Sequence, residues 1–183
     1  MKIPVLLGSI RDGRFSDRAA AFVVRRLQAA GIEAPLLDAR EMEHFAEPAT
    51  EGKTSFEEEM RDAEGLVIVT PEYNHGYPGA LKDVLDTSDE TAAGKPVLIC
   101  GCSSGGLGGA RVVEQLRQVV LEVGLVPMKS AIYFSKHKEL WNADGSPKDG
   151  AYEGRADAAI AELEWFAWAL AEGRKKRPMP ETE

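Results

Sequence analysis

The stretch 65-GLVIVTPEYNHGYPGALKDVLD-86 runs from an uninterrupted apolar segment through a polar loop into a helical pattern. Such an apolar segment is typical of a strand that is buried on both faces of a sheet. The same succession occurs five times along the chain, which predicts an α/β fold with a parallel sheet and helices on both faces. The predicted strands are residues 3–7, 32–37, 65–70, 95–100 and 126–134, and the predicted helices are residues 17–30, 54–63, 79–86, 111–123 and 153–172.

Five strands with right-handed crossovers predict the flavodoxin-like strand order 2-1-3-4-5 rather than a six-stranded dinucleotide-binding sheet. Pro35 removes a main-chain donor from the second strand and therefore indicates that this strand lies at an edge. Ligands of such sheets bind beyond the carboxyl ends of the strands. The loops after strands one, three and four are expected to meet there.

Length and charge limit what the chain can be. Its 183 residues predict one domain over residues 1–183, with residues 174–183 as a loose tail. The formal net charge of -8 argues against nucleic acid or an anionic membrane as partner. No apolar segment approaches the roughly 20 residues that span a bilayer, and the first residues do not form a signal peptide, so we expect a cytoplasmic protein.

The two cysteines, Cys100 and Cys102, predict neither a disulfide framework nor a metal site. Residues two apart on a strand rarely form a disulfide, and their spacing with no further ligand nearby does not match a zinc site. We expect Cys100 in the core and Cys102 in the following loop.

The first of the three loops, 8-GSIRDGRFS-16, leads directly into a helix, whose free main-chain N–H groups favour an anion. Ser9 and Ser16 offer hydroxyl groups, and Arg11 and Arg14 offer charged donors. The pattern matches neither the P-loop nor the Rossmann fingerprint. It indicates a small phosphate site, although a helix cap and solvated arginines explain the same residues equally well.

The second loop, 71-PEYNHGYPG-79, holds two aromatic residues, two prolines and two glycines in nine positions. Prolines fix the backbone and glycines let a flat ligand approach it, so main-chain N–H groups there could meet the polar edge of a flavin ring. A rigid surface turn is the alternative. The third loop, 103-SSGGLGG-109, has four glycines in five positions, which favours close contact with a planar ring or a phosphate over a flexible connector.

The first loop followed by the segment 71-PEYNHGYPGALKDVLD-86 resembles the NADPH-dependent FMN reductase family, which includes chromate, quinone and azo-dye reductases. The glycine-rich third loop is similar to the third element of that family, and the resemblance extends from Lys2 to Phe134. It implies an FMN site. Its phosphate side comprises Ser9, Arg11, Arg14, Phe15 and Ser16, its ring side Pro71, Glu72, Tyr73, Asn74 and His75, and its opposite wall Ser103, Ser104, Gly105 and Gly106.

The resemblance also implies a reaction and an assembly. NADPH or NADH would reduce the bound flavin, and a small acceptor (a quinone, an azo compound, chromate or free flavin) would then be reduced in the same place, without a metal or a protein nucleophile. Homodimers or homotetramers are implied. The chain departs from the family at Asp83, where asparagine is frequent, and at Gly76, where serine is frequent, and either could alter the acceptor pocket or the subunit contact.

Two other functions stay open at this stage. A flavodoxin-like electron carrier that serves a protein partner fits the acidic charge, but its first loop would be rich in threonine and would lack Arg11. A regulatory domain without cofactor is the third possibility. Among the histidines, His75 is expected near the site, whereas His44 and His137 are expected in surface loops.

Overall fold

The computed structural model describes residues 1–46, 52–88 and 90–180 and shows a five-stranded parallel sheet. The order β2-β1-β3-β4-β5 confirms the predicted topology, including the edge position of the second strand. The strands are β1 (Val5–Leu7), β2 (Leu36–Asp38), β3 (Leu66–Pro71), β4 (Pro96–Cys102) and β5 (Val126–Phe134). The helices are α1 (Ser16–Ala29), α2 (Phe56–Arg61), α3 (Gly79–Leu85), α4 (Ala110–Glu122) and α5 (Ala151–Lys176), with a 3₁₀ turn at Glu90–Ala92.

Helices cover both faces of the sheet, as the apolar strands predict. Successive residues of β3 enter opposite cores: Val67 and Val69 pack with α1 and α5, whereas Leu66 and Ile68 pack with α2, α3 and α4. All four side chains are fully buried, and burial of each contributes about 1.5–3 kcal/mol to folding. The two cores hold the sheet rigidly and therefore fix the positions of the loops at its edge.

Because all five strands are parallel, their carboxyl ends lie at one edge of the sheet. Leu7 pairs with Val69, Val69 with Cys100, and Cys102 with Phe134. The β5–α5 loop therefore begins at the same edge as the three loops that the sequence singled out. The added loop matters for the site described below.

Four strands differ from their predicted limits, and the differences at β2 and β4 have a clear cause. The predicted second strand spanned residues 32–37, but β2 begins only at Leu36, after Pro35. The prediction of Cys102 as a loop residue is wrong, since β4 continues through it. Cys102 is fully buried and pairs with Pro71 on one side and Phe134 on the other, so hydrogen bonding from both neighbours extends the strand. Both cysteines are free thiols.

The helices also differ from their predicted limits, by one residue at most at α1, α3 and α4 and by more at α2 and α5. Thr54, followed by Glu57, matches a capping box and predicts Thr54 as the cap of the second helix. The cap of α2 is instead Ser55, whose hydroxyl accepts from the Glu58 amide, and a cap one residue later shifts the helix start. The final helix continues to Lys176 instead of ending at residue 172. Gly173 costs only about 1 kcal/mol inside a helix, and beyond it Arg174 donates to the Gly94 carbonyl, so residues 174–176 of the predicted loose tail are helical.

Some predictions fall outside the described residues. Residues 39–53, with mixed charge, Pro48 and Gly52, predict a loop, and part of it, including Pro48, lies there. Residues 181–183 of the predicted tail lie there as well. Within the three described ranges, no helix is long and apolar enough to cross a membrane.

Candidate functional site

A cleft of about 300 Å³ opens at the carboxyl edge of the sheet, and we call it the rim cleft. It brings together segments that are more than 100 residues apart in sequence, which is what the three-loop prediction required. The residues that line it are Arg11, Asp12, Gly13, Arg14, Phe15, Ser16, Pro71, Glu72, Tyr73, Cys102, Ser103, Ser104, His137 and Lys138.

Nine of the fourteen predicted site residues lie on this lining. They come from all three predicted loops, and they are Arg11, Arg14, Phe15, Ser16, Pro71, Glu72, Tyr73, Ser103 and Ser104. Five do not line the cleft: Ser9, Asn74, His75, Gly105 and Gly106. Whether the nine contact a cofactor remains a prediction.

Arg14 lies on the lining, but its guanidinium is held inside the chain. The side chain is 3% exposed and contacts both oxygens of Asp38, the Asp17 carboxylate at 2.7 Å, and the Ser9 carbonyl. Burial by itself raises the pKa of Asp38, but hydrogen bonds from Arg14 and Arg40 hold that pKa well below its usual range. Arg14 is therefore committed to joining the first loop to the end of β2, and its charge is not free for a phosphate.

Arg11 and Ser16 are placed differently. The Arg11 side chain is exposed on the lining and forms no hydrogen bond or ion pair within the described residues. Ser16 begins α1 and is 1% exposed, yet its Oγ has no hydrogen-bond partner there. The N-cap residue Phe15 has no polar side chain to satisfy the first N–H groups of this 14-residue helix. Helix, hydroxyl and guanidinium together offer the donors and the positive charge that an anion requires.

Ser9 lies beneath the cleft and does not line it. The residue is fully buried, and its Oγ lies 2.9 Å from the Tyr73 hydroxyl, where either oxygen can donate. The predicted contact of Ser9 with a phosphate stays a prediction, and in this structure its hydroxyl is bonded to Tyr73. The contact joins the first loop to the second.

The second loop turns sharply just outside the cleft. Tyr73 and Gly76 exchange two main-chain hydrogen bonds of 2.9 Å, and the two residues between them, Asn74 and His75, have φ values of 48° and 71°. Positive φ at both central residues is the geometry of a type I′ turn. Asn74 and His75 are exposed at this turn and do not line the cleft.

Arg111 of α4 fastens this turn. Its Nε donates to Glu72 Oε1 at 2.7 Å, and its Nη1 donates to His75 Nε2 at 2.8 Å. Gln115, one helical turn further, donates to the His75 carbonyl at 3.0 Å. A Cβ on Gly76 would lie 3.2 Å from the Gln115 Oε1, so the glycine here lets α4 approach the loop. His75 therefore serves the loop's attachment to α4.

We expect Arg111→Met to lower the free energy of unfolding by about 2 kcal/mol, because the Glu72 carboxylate, 4% exposed, would lose its cationic partner. Adding Glu72→Gln should restore part of the loss, and urea unfolding of both single variants and the double variant measures the coupling. Arg61→Met, which removes an exposed helix pair with Glu57, is the control and should change stability by less than about 0.5 kcal/mol. Additive effects of the Arg111 and Glu72 changes would contradict this role.

The glycines of the third loop divide into two pairs. A Cβ on Gly108 or Gly109 would lie 2.8 Å from Tyr133 or from the Cys102 main-chain nitrogen, so these two are required for packing. A Cβ on Gly105 or Gly106 would meet no atom within 4 Å, and both residues are exposed. The high number of glycines in this loop is thus explained by the close packing of α4 on β4 as much as by any ligand contact.

Sequence reasoning missed five lining residues, Asp12, Gly13, Cys102, His137 and Lys138. His137 lies in a loop, as expected, but its ring is half-buried and lines the cleft. Burial, and next the charge of Lys138, lower the pKa of His137, so the ring is neutral at pH 7. The signal that could have found it is its position just after the fifth parallel strand. Burial also raises the pKa of the Cys102 thiol, which is therefore unreactive.

A second groove, larger and more open at about 580 Å³, lies on the other side of the first loop. Ile10 lines this groove, whereas the next residue, Arg11, lines the rim cleft. Asp83, at the position where the family frequently has asparagine, lies here with His44. Its carboxylate is 3.0 Å from His44 Nδ1 and accepts from the Ala46 amide at 3.0 Å. His44 is thus half-buried and bonded, and Asp83 secures a loop within its own chain.

The buried polar atoms without partners concentrate at the rim cleft. Within the described part of the chain they are Ser16 Oγ, Glu72 Oε2, His137 Nδ1 and Trp141 Nε1. All but Trp141 belong to residues that line the cleft. Because a buried polar group without a partner costs about 1–3 kcal/mol, three at one place indicate a polar ligand.

Sequence comparison supports the family resemblance. A family model described as NADPH-dependent FMN reductase matches residues 1–139, a region that includes all three predicted loops. A protein of Escherichia coli (strain K12) named quinone reductase is 38% identical over 134 residues, which cover 66% of this chain and 70% of that protein.

Structural comparison supports the fold. The Paracoccus denitrificans protein FerB, described as a flavoenzyme NAD(P)H:(acceptor) oxidoreductase, superposes with a TM-score of 0.75 at 25% identity, covering 93% of this chain and 97% of FerB. A flavodoxin variant from Pseudomonas aeruginosa gives a TM-score of 0.56 at 20% identity, covering 93% of this chain and 99% of the flavodoxin. The second likeness concerns the fold alone and confirms that it is flavodoxin-like.

Proposed function

The chain belongs to the NADPH-dependent FMN reductase family, and on this premise we propose that it binds FMN in the rim cleft and passes reducing equivalents from NADPH or NADH to a small acceptor. The observation that carries the proposal is the set of three buried, unpartnered polar atoms on the lining of this one cleft. A quinone is the proposed acceptor class, which the name of the Escherichia coli relative supports.

The residues present fit the phosphate end of FMN. Ser16 Oγ and the first N–H groups of α1 would hold the phosphate oxygens, and the Arg11 guanidinium would supply charge. Arg14 would act indirectly, since its bonds to Asp38 and Ser9 set the course of the loop. In this proposal Arg11 binds the ligand, whereas Arg14 stabilises the fold.

The residues at the second and third loops fit a planar ring. Pro71 and Tyr73 come from the end of β3, and Ser103 and Ser104 come from the end of β4. The Glu72 amide donates to the Cys102 carbonyl at 2.9 Å, which fixes the separation between the two walls. Rigid walls of this kind position a ligand and exclude water from it.

The flavin supplies the redox chemistry when bound, so the protein needs no nucleophile. What this chain contributes is position and electrostatics. Arg111 compensates the charge of Glu72, which lines the cleft, and the neutral His137 ring adds a polar group without adding charge. On the lining, the charges of Arg14 and Glu72 are therefore paired within the protein, whereas the Arg11 guanidinium is left for a ligand.

The direct test is reconstitution of purified, flavin-free protein with FMN, followed by anaerobic titration with NADPH and NADH and by turnover with benzoquinone. We expect one FMN per chain, bleaching of its absorption by a nicotinamide donor, and multiple turnovers. Failure to take up FMN would favour a regulatory domain. Uptake without turnover would favour an electron carrier that serves a protein partner.

Ser16→Ala is expected to raise the Kd for FMN about tenfold, because one hydrogen bond to a charged phosphate is lost. The stability of the flavin-free chain should stay the same or rise, since a buried hydroxyl without a partner is removed. Fluorescence quenching and urea unfolding measure the two quantities. A fall in stability together with unchanged FMN affinity would show that the hydroxyl serves the fold and not the ligand.

Assembly and location are proposed from the family premise as well. We expect a homodimer or homotetramer in the cytoplasm, and light scattering of the purified chain measures the assembly. Exposed Leu107, in the third loop, and exposed Tyr133, in β5, are two apolar side chains that a subunit could cover.

A further inference from the structure

The β5–α5 loop forms a fourth wall of the rim cleft, through His137 and Lys138. Main-chain hydrogen bonds fasten it to the third loop: the Lys136 amide donates to the Gly105 carbonyl at 3.0 Å, and the His137 amide donates to the Ser103 carbonyl at 3.1 Å. Since the Ser103 amide in turn donates to the Phe134 carbonyl at 3.1 Å, the two loops are joined on both sides. The position of His137 is therefore set by main-chain geometry.

The same loop contacts the first loop through side chains. The His137 ring stacks on Phe15 with centroids 5.4 Å apart and planes 25° from parallel. The Lys138 Nζ lies 5.4 Å from the centre of the Phe15 ring. His137 thus links the first and third loops across the cleft, and its orientation is fixed by the stack.

His137 Nδ1 is buried and has no hydrogen-bond partner in the ranges that the structure describes. Phe15, on which the ring stacks, directly precedes Ser16 and the start of α1, where the anion site lies. Charged side chains on this part of the lining are Arg11 and Lys138, with Asp12 as the acid. The unpartnered nitrogen is therefore adjacent to a site that favours a phosphate.

We infer that His137 is a cofactor-binding residue whose Nδ1–H donates a hydrogen bond to the phosphate of bound FMN, with Phe15 holding its ring in place. The inference rests on the proposed function, since it assumes FMN in the rim cleft. It adds a fourth loop to the site and a phosphate ligand that comes from residues after β5. A neutral imidazole can donate from Nδ1 in one tautomer, so no change of charge is needed.

Two substitutions test the role of Nδ1 and the role of the imidazole ring independently. His137→Phe keeps a ring that can stack on Phe15 but has no Nδ1, whereas His137→Asn keeps an amide nitrogen near the Nδ1 position but loses the ring. We expect His137→Phe to raise the Kd for FMN about tenfold and to leave the Kd for riboflavin, which lacks the phosphate, within about twofold. His137→Asn should bind FMN more tightly than His137→Phe. Fluorescence titration with both flavins measures these constants.

An unchanged Kd for FMN in His137→Phe, or equal weakening of FMN and riboflavin, would overturn the inference. If the unmodified chain bound neither flavin, the proposed function itself would fail, so the two failures are distinguishable. Imidazole ¹⁵N resonances of the unmodified chain give a second readout that needs no variant. FMN should shift the His137 Nδ1 resonance and riboflavin should not, with His44, which lies in the second groove, as the internal reference; equal shifts with both flavins would contradict the phosphate contact.

Discussion

Asp38→Asn is expected to lower the free energy of unfolding by about 3 kcal/mol, because it leaves the Arg14 guanidinium buried with half of its charge compensation removed. Arg14 is 3% exposed and Asp38 is 15% exposed, so solvent cannot replace the lost carboxylate. Asp17 remains as a partner of Arg14, but its side chain is 51% exposed, and solvent weakens the ion pair. Urea unfolding at pH 7 measures the loss.

The effect should depend on pH in a defined direction. The pKa of Asp38 is depressed in the folded chain, so its contribution is full above the unfolded pKa of about 3.9 and falls as the pH drops below that value. The difference between the unmodified chain and Asp38→Asn should therefore shrink by roughly 1 kcal/mol between pH 6 and pH 3. A difference that stays constant over this range would mean that the charge of Asp38 is not what stabilises the fold.

Asp157→Asn provides the matched control for an arginine pair at the surface. Asp157 accepts from Arg26 Nε at 2.8 Å, but both side chains are substantially exposed, at 51% and 28%. Solvent screens such a pair, so the loss should stay below about 1 kcal/mol. A large effect at both positions would indicate that any loss of acidic charge destabilises the chain, and that the buried pair has no special role.

Gly109→Ala is expected to destabilise the chain by about 3 kcal/mol or more. Gly109 has a φ of 86°, which an alanine adopts only with strain, and the new Cβ would lie 2.8 Å from the main-chain nitrogen of Cys102. That neighbour is backbone at the carboxyl end of β4 and cannot move aside without breaking strand pairing. Thermal and urea unfolding of the flavin-free protein measure the effect.

Gly105→Ala is the control for the same loop. Gly105 has no positive φ, and its Cβ would meet no atom within 4 Å, so the substitution should be neutral or stabilising by about 0.5 kcal/mol. Equal losses at both positions would show that the whole loop needs flexibility. A loss at Gly109 alone would show that the close contact between α4 and β4 is what selects glycine.

Most of the fold could be predicted because its signals are local. An apolar run such as residues 65–70 is long enough to define a strand, and β5 has the predicted limits, Val126–Phe134. The errors lie at element ends, where the deciding contacts come from elsewhere. Cys102 belongs to β4 because Pro71 and Phe134 pair with it, and Arg174 extends α5 because it reaches the Gly94 carbonyl.

The site was predictable only in outline. Polar and glycine-rich loops after parallel strands identify the correct edge of the sheet, and Arg11, Ser16 and Ser103 lie on the cleft there. The sequence could not distinguish Arg11 from Arg14, because the difference is Asp38, which lies 24 residues after Arg14 on a neighbouring strand. It likewise could not show that His75 turns toward Arg111.

The sequence by itself determined the parallel sheet, its order and the edge at which a ligand would bind, since each follows from apolar runs and from short-range loop chemistry. The tertiary structure alone decided which side chains at that edge are already engaged. A hydrogen bond or an ion pair forms between groups that folding brings together, however far apart they are in the chain. For that reason Arg14 is committed to Asp38, whereas His137 Nδ1 lies at the cleft without a partner among the described residues.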